Sequence, residues 1–126
     1  MNTLKIAVCY HRDYEILEQY ANNKAIYELF LGGSEIYKGD SKFLLSLRKD
    51  NIGENLSSKN KEINELSIVY WIWKNYEQFG NPDYVGLNHY RRCFTAEDIV
   101  DYDKYDMCIY ENIICEKKLS QYKSML

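Results

Sequence analysis

Residues 4–10, LKIAVCY, form an apolar and β-branched run broken only by Lys5. A strand with one wet face alternates polar and apolar residues. A run like this one suits a strand covered on both sides, as in the parallel sheets of α/β folds. The rest of the chain reads in the same spirit. AIYELFLGG (25–33) is a second strand or a short helix, with strand favoured, and Gly32 and Gly33 end it. Residues 34–60 are polar and read as a long loop, in which KFLLSLR forms a helical turn or two.

A single helix is expected over residues 61–79, with Asn60 or Ser58 as its cap and Gly80 as its stop. Ile63, Leu66, Val69, Tyr70, Trp73 and Tyr76 recur at helical spacing and define its expected buried face. Ile68, Trp71 and Ile72 lie off the centre of that stripe, so the middle of the helix is apolar nearly all round and wants cover on more than one side. DYVGL (83–87) is the next strand, and HYRRCF follows as a polar turn. An acidic segment TAEDIVDYD, a strand YDMCIY and an amphipathic helix from about Asn112 to Met125 complete the chain. The expected fold class is α/β, a sheet with flanking helices, in one domain over 1–126.

Sixteen basic against 19 acidic residues leave a net charge of -3, so no basic excess is available to hold a polyanion by counterion release. Thirteen tyrosines with Arg91 and Arg92 could suggest base stacking, but many of these tyrosines fall at core-like positions, and nucleic acid is not an expected partner. The N-terminal apolar run is too short for a signal peptide or a membrane span. A cytoplasmic protein is expected, able to work at the periphery of the inner membrane on lipid-linked acceptors. Cys9, Cys93, Cys108 and Cys115 lack the close spacing of zinc or redox motifs. Free thiols are expected, with Cys9 and Cys108 in strand-like runs where cysteine acts as a small hydrophobe. No metal site is expected.

Ligands of open α/β sheets bind where loops leave the carboxyl ends of the strands. Here the first strand runs into His11 and Arg12, and the DYVGL strand runs into Asn88, His89, Tyr90, Arg91 and Arg92. Two adjacent arginines flanked by aromatics suit a diphosphate, because guanidinium forks grip phosphate oxygens in pairs and stay charged. The plainer alternative, one arginine in a local ion pair and the other solvated, is equally compatible with the sequence.

Two long segments, DNIGENLSSKNKEINELSIVYWIWKN (50–75) and DYVGLNHYRRCF (83–94), together with the opening LKIAVCYHR, resemble a family of bacterial capsular-polysaccharide-type glycosyltransferases catalogued as domain of unknown function 4422. The resemblance implies a partial GT-A-like (Rossmann-like) sheet that binds a nucleotide-sugar donor, with a saccharide or lipid-linked acceptor in a full-length relative. It places Asn51, Gly53, Asn55 and Ser57 to Asn60 in a loop approaching the donor, and Glu65 on the shoulder of the helix, near a sugar hydroxyl or an arginine of the HYRR turn. Support of the helix's first turn is the plainer role for Glu65. Trp71 and Trp73 are expected to pack. The catalytic group stays open, with Glu65 and His89 as candidates. Many GT-A enzymes carry an Asp-X-Asp motif where Asn88-His89-Tyr90 stands here, so His89, Arg91 and Arg92 are expected to take over part of a metal's work. A literal Asp101-Tyr102-Asp103 precedes a strand instead of following one and reads as a turn.

Family members continue beyond this chain's last helix, so the resemblance makes residues 1–126 the donor-binding half. A non-catalytic nucleotide-binding or association module is the competing reading, and an uncovered sheet edge and apolar patch would favour a homo-oligomer.

Overall fold

The computed structural model describes residues 3–91. The element order is β1 (Leu4–Tyr10), α1 (Glu18–Ala21), β2 (Tyr27–Leu31), α2 (Lys42–Ser46), β3 (Arg48–Lys49), a 3-10 turn (Ser57–Lys59), α3 (Asn60–Ile63), α4 (Leu66–Lys74), α5 (Tyr76–Phe79) and β4 (Tyr84–His89). The expected acidic segment, the strand YDMCIY and the final helix lie outside the described residues, as do Arg92, the Asp101-Tyr102-Asp103 triplet and Cys93, Cys108 and Cys115.

The four strands form one sheet in the order β3-β2-β1-β4, and every pairing is parallel. The both-faces-buried reading of LKIAVCY is thereby met: β1 is central, and Ile6 through Tyr10 are all buried. AIYELFLGG supplies a strand, and KFLLSLR supplies α2, capped by the Ser41 hydroxyl, which accepts from the Leu44 amide at 3.1 Å. The sequence reading missed α1 and the two-residue β3.

Alternation divides the sheet. Ala7, Cys9 and Phe30 pack with Ile68, Trp71, Ile72 and Phe79 in one core, and Tyr76 and Leu87 lie against it. Ile6, Val8 and Tyr10 alternate onto the opposite face. At the edge of the first core, Glu28 pairs with both Lys5 and Arg48, whose guanidinium lies 4.7 Å from the Trp71 ring.

The expected helix over 61–79 is not continuous. It breaks at Asn64, where φ is 54° and ψ is -131°, and at Asn75, where φ is -124° and ψ is 40°. Both asparagines sit in side chain-to-backbone networks that compete with the helical ladder. The Asn64 carbonyl accepts from Ser67 N at 3.2 Å and from the Asn60 carboxamide at 2.7 Å. Asn75 donates its carboxamide to Trp71 O and to Glu54 O. Neither Asn60 nor Ser58 is the N-cap; Lys59 holds that place without a side-chain bond. Gly80 does end the segment in the left-handed conformation, at φ 105°.

The buried face also differs from the expected stripe. Ser67, Ile68, Trp71 and Ile72 are inside, whereas Leu66, Val69 and Trp73 are exposed. Trp71 packs as expected; Trp73 does not, and the Lys74 ammonium lies 3.8 Å from its ring centroid. Two polar residues choose the face. Ser67 donates to the buried Asp50 carboxylate at 2.6 Å, and Asn75 holds Glu54 O at 2.8 Å. Their partners lie far off in sequence, so a hydrophobicity pattern cannot see them.

Candidate functional site

Because β1 and β4 are adjacent and parallel, their carboxyl ends open on the same edge of the sheet, with Cys9 in register with His89. A cleft of about 490 Å³ lies there, lined by Cys9, His11, Asn60, Lys61, Asn64, Glu65 and His89. Two elements meet at it: the strand ends supply Cys9, His11 and His89, and the broken helix supplies the other four. The size is ordinary for a small-molecule site.

The strand side is aromatic. Tyr90 is buried, with ring centroids 4.1 Å from His89, 5.1 Å from His11, 4.9 Å from Tyr14 and 5.7 Å from Tyr10. The two histidine rings are 5.9 Å apart. The Arg91 amide donates to His89 Nδ1 at 3.3 Å, and the Tyr20 hydroxyl donates to the His89 carbonyl at 2.8 Å. With Nδ1 accepting, a neutral His89 carries its proton on Nε2.

Cys9 forms part of the floor. Burial, reinforced by the negative charges of Glu65 and Asp50, pushes its thiol up to about 12. It is therefore neutral at pH 7 and neither nucleophile nor anionic ligand. Burial likewise raises the Tyr10 hydroxyl to about 12. Among the described residues, no group of three His, Cys, Asp or Glu side chains gathers as a metal site.

The helix side carries one cation, Lys61, one carboxylate, Glu65, and two carboxamides, Asn60 and Asn64. Glu65 is exposed and precedes the first residue of α4. A group that hydrogen-bonds a sugar or meets an arginine can occupy such a position, and so can one that complements the α4 dipole.

Of the residues expected at the site, His11, Asn60, Glu65 and His89 line this cleft. Asn88 and Tyr90 are buried beside it in and just after β4. Arg12 is exposed and is not among the lining residues; Arg91 is exposed, its guanidinium 5.3 Å from the Tyr90 ring. Asn51 and Asn55 stand elsewhere: Asn51 donates to Glu35 at 3.0 Å, and Asn55 folds back on its own loop, donating to Gly53 O and accepting from Ser57 N. That loop is pinned to α4, since Trp71 Nε1 donates to Ile52 O at 2.7 Å and Tyr70 to Glu54 at 2.8 Å.

Sequence reasoning missed Cys9, Lys61 and Asn64 as lining residues, and above all Asp50. This carboxylate is 0% exposed and accepts from Gly33 N, Ser34 N, Ser34 Oγ, Ser57 Oγ and Ser67 Oγ, all at 2.6–3.0 Å. Burial raises its pKa, but the hydrogen bonds from Ser57, Ser67, Gly33 and Ser34 outweigh it and hold the carboxyl below its ordinary value. An aspartate opening a serine- and asparagine-rich loop was the available signal. The long motif from Asp50 to Asn75 is thus largely one interlocked packing unit.

No curated protein matches the chain. A solved apo structure of the WbbM bifunctional glycosyltransferase is similar, at 32% sequence identity and a TM-score of 0.56, over 71% of this chain and 14% of that one. The chain thus corresponds to a small part of that protein's length. The family model described as Domain of unknown function (DUF4422) matches residues 5–126, nearly the whole chain, and the chain belongs to that family.

Proposed function

We propose that this chain is the donor-binding part of a glycosyltransferase and that the cleft at the ends of β1 and β4 takes a nucleotide-sugar. The observation that carries the reading is the position of the cleft: it sits at the carboxyl ends of adjacent parallel strands, where α/β folds bind nucleotides, in a chain similar to part of a bifunctional glycosyltransferase. Lys61 supplies positive charge for a diphosphate, His11 and His89 supply imidazoles beside it, and Asn60, Asn64 and Glu65 supply hydrogen-bonding groups for sugar hydroxyls. Arg91, Arg92 and Arg12 are proposed to complete the anion site when donor is bound, stabilising the charge on a leaving nucleoside diphosphate. Glu65 and His89 are the candidates for acid–base work. Capsular or surface polysaccharide is the proposed product, made at the cytoplasmic face of the membrane; no described helix is long and apolar enough to cross it.

The test is an NMR titration of the full chain with UDP, GDP, CDP and their common sugar conjugates, with and without magnesium or manganese. Saturable shifts at His11, Asn60, Lys61 and His89 are expected, reduced in Arg91→Ala and Arg92→Ala. Shifts that require the metal would overturn the arginine-based account of diphosphate binding. No shifts with any nucleotide would overturn the donor site. A second reading is a non-catalytic nucleotide-binding or self-associating module. Donor binding without transfer to any added saccharide acceptor would support it.

A further inference from the structure

Behind the cleft, two serine hydroxyls lie 2.6 Å from the Asp50 carboxylate and lead in different directions. Ser57 Oγ accepts in turn from the Glu35 amide at 3.0 Å, away from the lining residues. Ser67 Oγ accepts from Asn60 Nδ2 at 2.9 Å, and the same nitrogen donates to Asn64 O at 2.7 Å. Asn60 and Asn64 both line the cleft.

Proton counting fixes the polarity of this chain of bonds. A serine hydroxyl has one proton, and an ionised carboxylate can only accept. The proton of Ser67 is therefore committed to Asp50, and only a lone pair is left toward Asn60. Asn64 O is likewise an acceptor. The Asn60 atom that meets both must be the NH2 group, and a flipped carboxamide would set its oxygen against two acceptors. No hydrogen bond among the described residues reaches Asn60 Oδ1, and Asn60 is a lining residue of the cleft. We infer that Asp50 is a positioning residue, which acts through Ser67 to hold the Asn60 carboxamide with its oxygen available to accept from a donor hydroxyl. The inference rests on the donor-site reading and deepens it, because an acceptor here suits the sugar and repels the phosphates.

The test compares Ser67→Ala, which cuts the link to Asn60, with Ser57→Ala, which removes an equally short bond to the same carboxylate on the other side; Ser67→Thr restores the hydroxyl. Affinities of the full chain for UDP-glucose, UDP-galactose and UDP-N-acetylglucosamine are each divided by the affinity for UDP alone. For the best-bound conjugate, Ser67→Ala is expected to lower that ratio about tenfold while leaving UDP within about twofold. Ser57→Ala should leave the ratio unchanged, and Ser67→Thr should recover it. A ratio that falls equally in both alanine variants, or in neither, overturns the inference and makes Asp50 a structural residue only.

If the wild type binds neither UDP nor its conjugates, the donor-site reading fails on its own. The positioning claim is then judged by the Asn60 side-chain NH2 resonances. These should move in Ser67→Ala and stay in place in Ser57→Ala, and an unmoved Asn60 in Ser67→Ala refutes it.

Discussion

The two faces of α4 are nearly equally apolar in composition and meet opposite fates. Trp71 is 3% exposed and Trp73 is 66% exposed, two residues apart in one helix. Ile68 and Ile72 join the first in the core, and Leu66 and Val69 join the second at the surface. Hydrophobicity alone ranks these faces as alternatives. The choice is made by Ser67 and Asn75, which flank the inner face and tie it to Asp50 and Glu54. An apolar face can be left in water at a modest cost, whereas a buried carboxylate stripped of its donors is far more expensive. The polar residues therefore set the rotation of the helix, and the apolar ones follow.

The largest expected effect that sharpens this comparison is Trp71→Ala. Removing a buried indole that packs on Phe30 and bonds Ile52 O should cost about 3–5 kcal/mol in urea unfolding. A cost under about 1 kcal/mol would mean that the inner face is not the core.

Asp50→Asn comes next, at about 3 kcal/mol near pH 7, because a carboxamide cannot accept from all five donors. The sign of its pH dependence follows from the depressed folded-state pKa. The stabilisation from ionised Asp50 is present above the unfolded value near 3.9 and is lost as pH falls through that value toward the lower folded one. The difference between wild type and Asp50→Asn should accordingly shrink between pH 5 and pH 3. A constant difference over that range would show that Asp50 is not the ionised hub.

Gly33→Ala should cost about 2 kcal/mol. Its φ of 70° disfavours any side chain, and an added Cβ would meet the Asn60 side chain at 2.7 Å. Since Asn60 lines the cleft, this variant should also disturb the cleft resonances, and a fold and spectrum both unchanged would remove Gly33 from the account. Smallest of all is Trp73→Ser, expected within about 0.5 kcal/mol of wild type. A cost above 1 kcal/mol would show that the outer face of α4 is covered after all, and the contrast between the two faces would fail.

Much of the fold was legible. LKIAVCY announced a central strand because burial on both faces leaves no polar alternation, and Gly80 announced a helix end because it takes a φ of 105° without steric cost. The loop Asp50–Asn60 was recognisable as special, but its internal bonding was not. Asn51 and Asn55 look like ligand groups in a list of residues, and their nearest partners turn out to be Glu35, Gly53 and Ser57. The site itself was half legible. His11 and His89 follow from strand ends alone, whereas Lys61 and Asn64 line the cleft through the placement of residues 60–65 beside those ends.

Local periodicity and residue chemistry determined the α/β class, the buried first strand and the strand-end location of the polar residues, since each depends on neighbours within a few positions. The tertiary structure decided which face of α4 is buried, where the helix breaks and which asparagines face the cleft. The buried face hangs on hydrogen bonds spanning 17 and 21 positions, from Ser67 to the buried Asp50 carboxylate and from Asn75 to the Glu54 carbonyl. Their energy exists only once water has been excluded, and no local pattern in a sequence records that event.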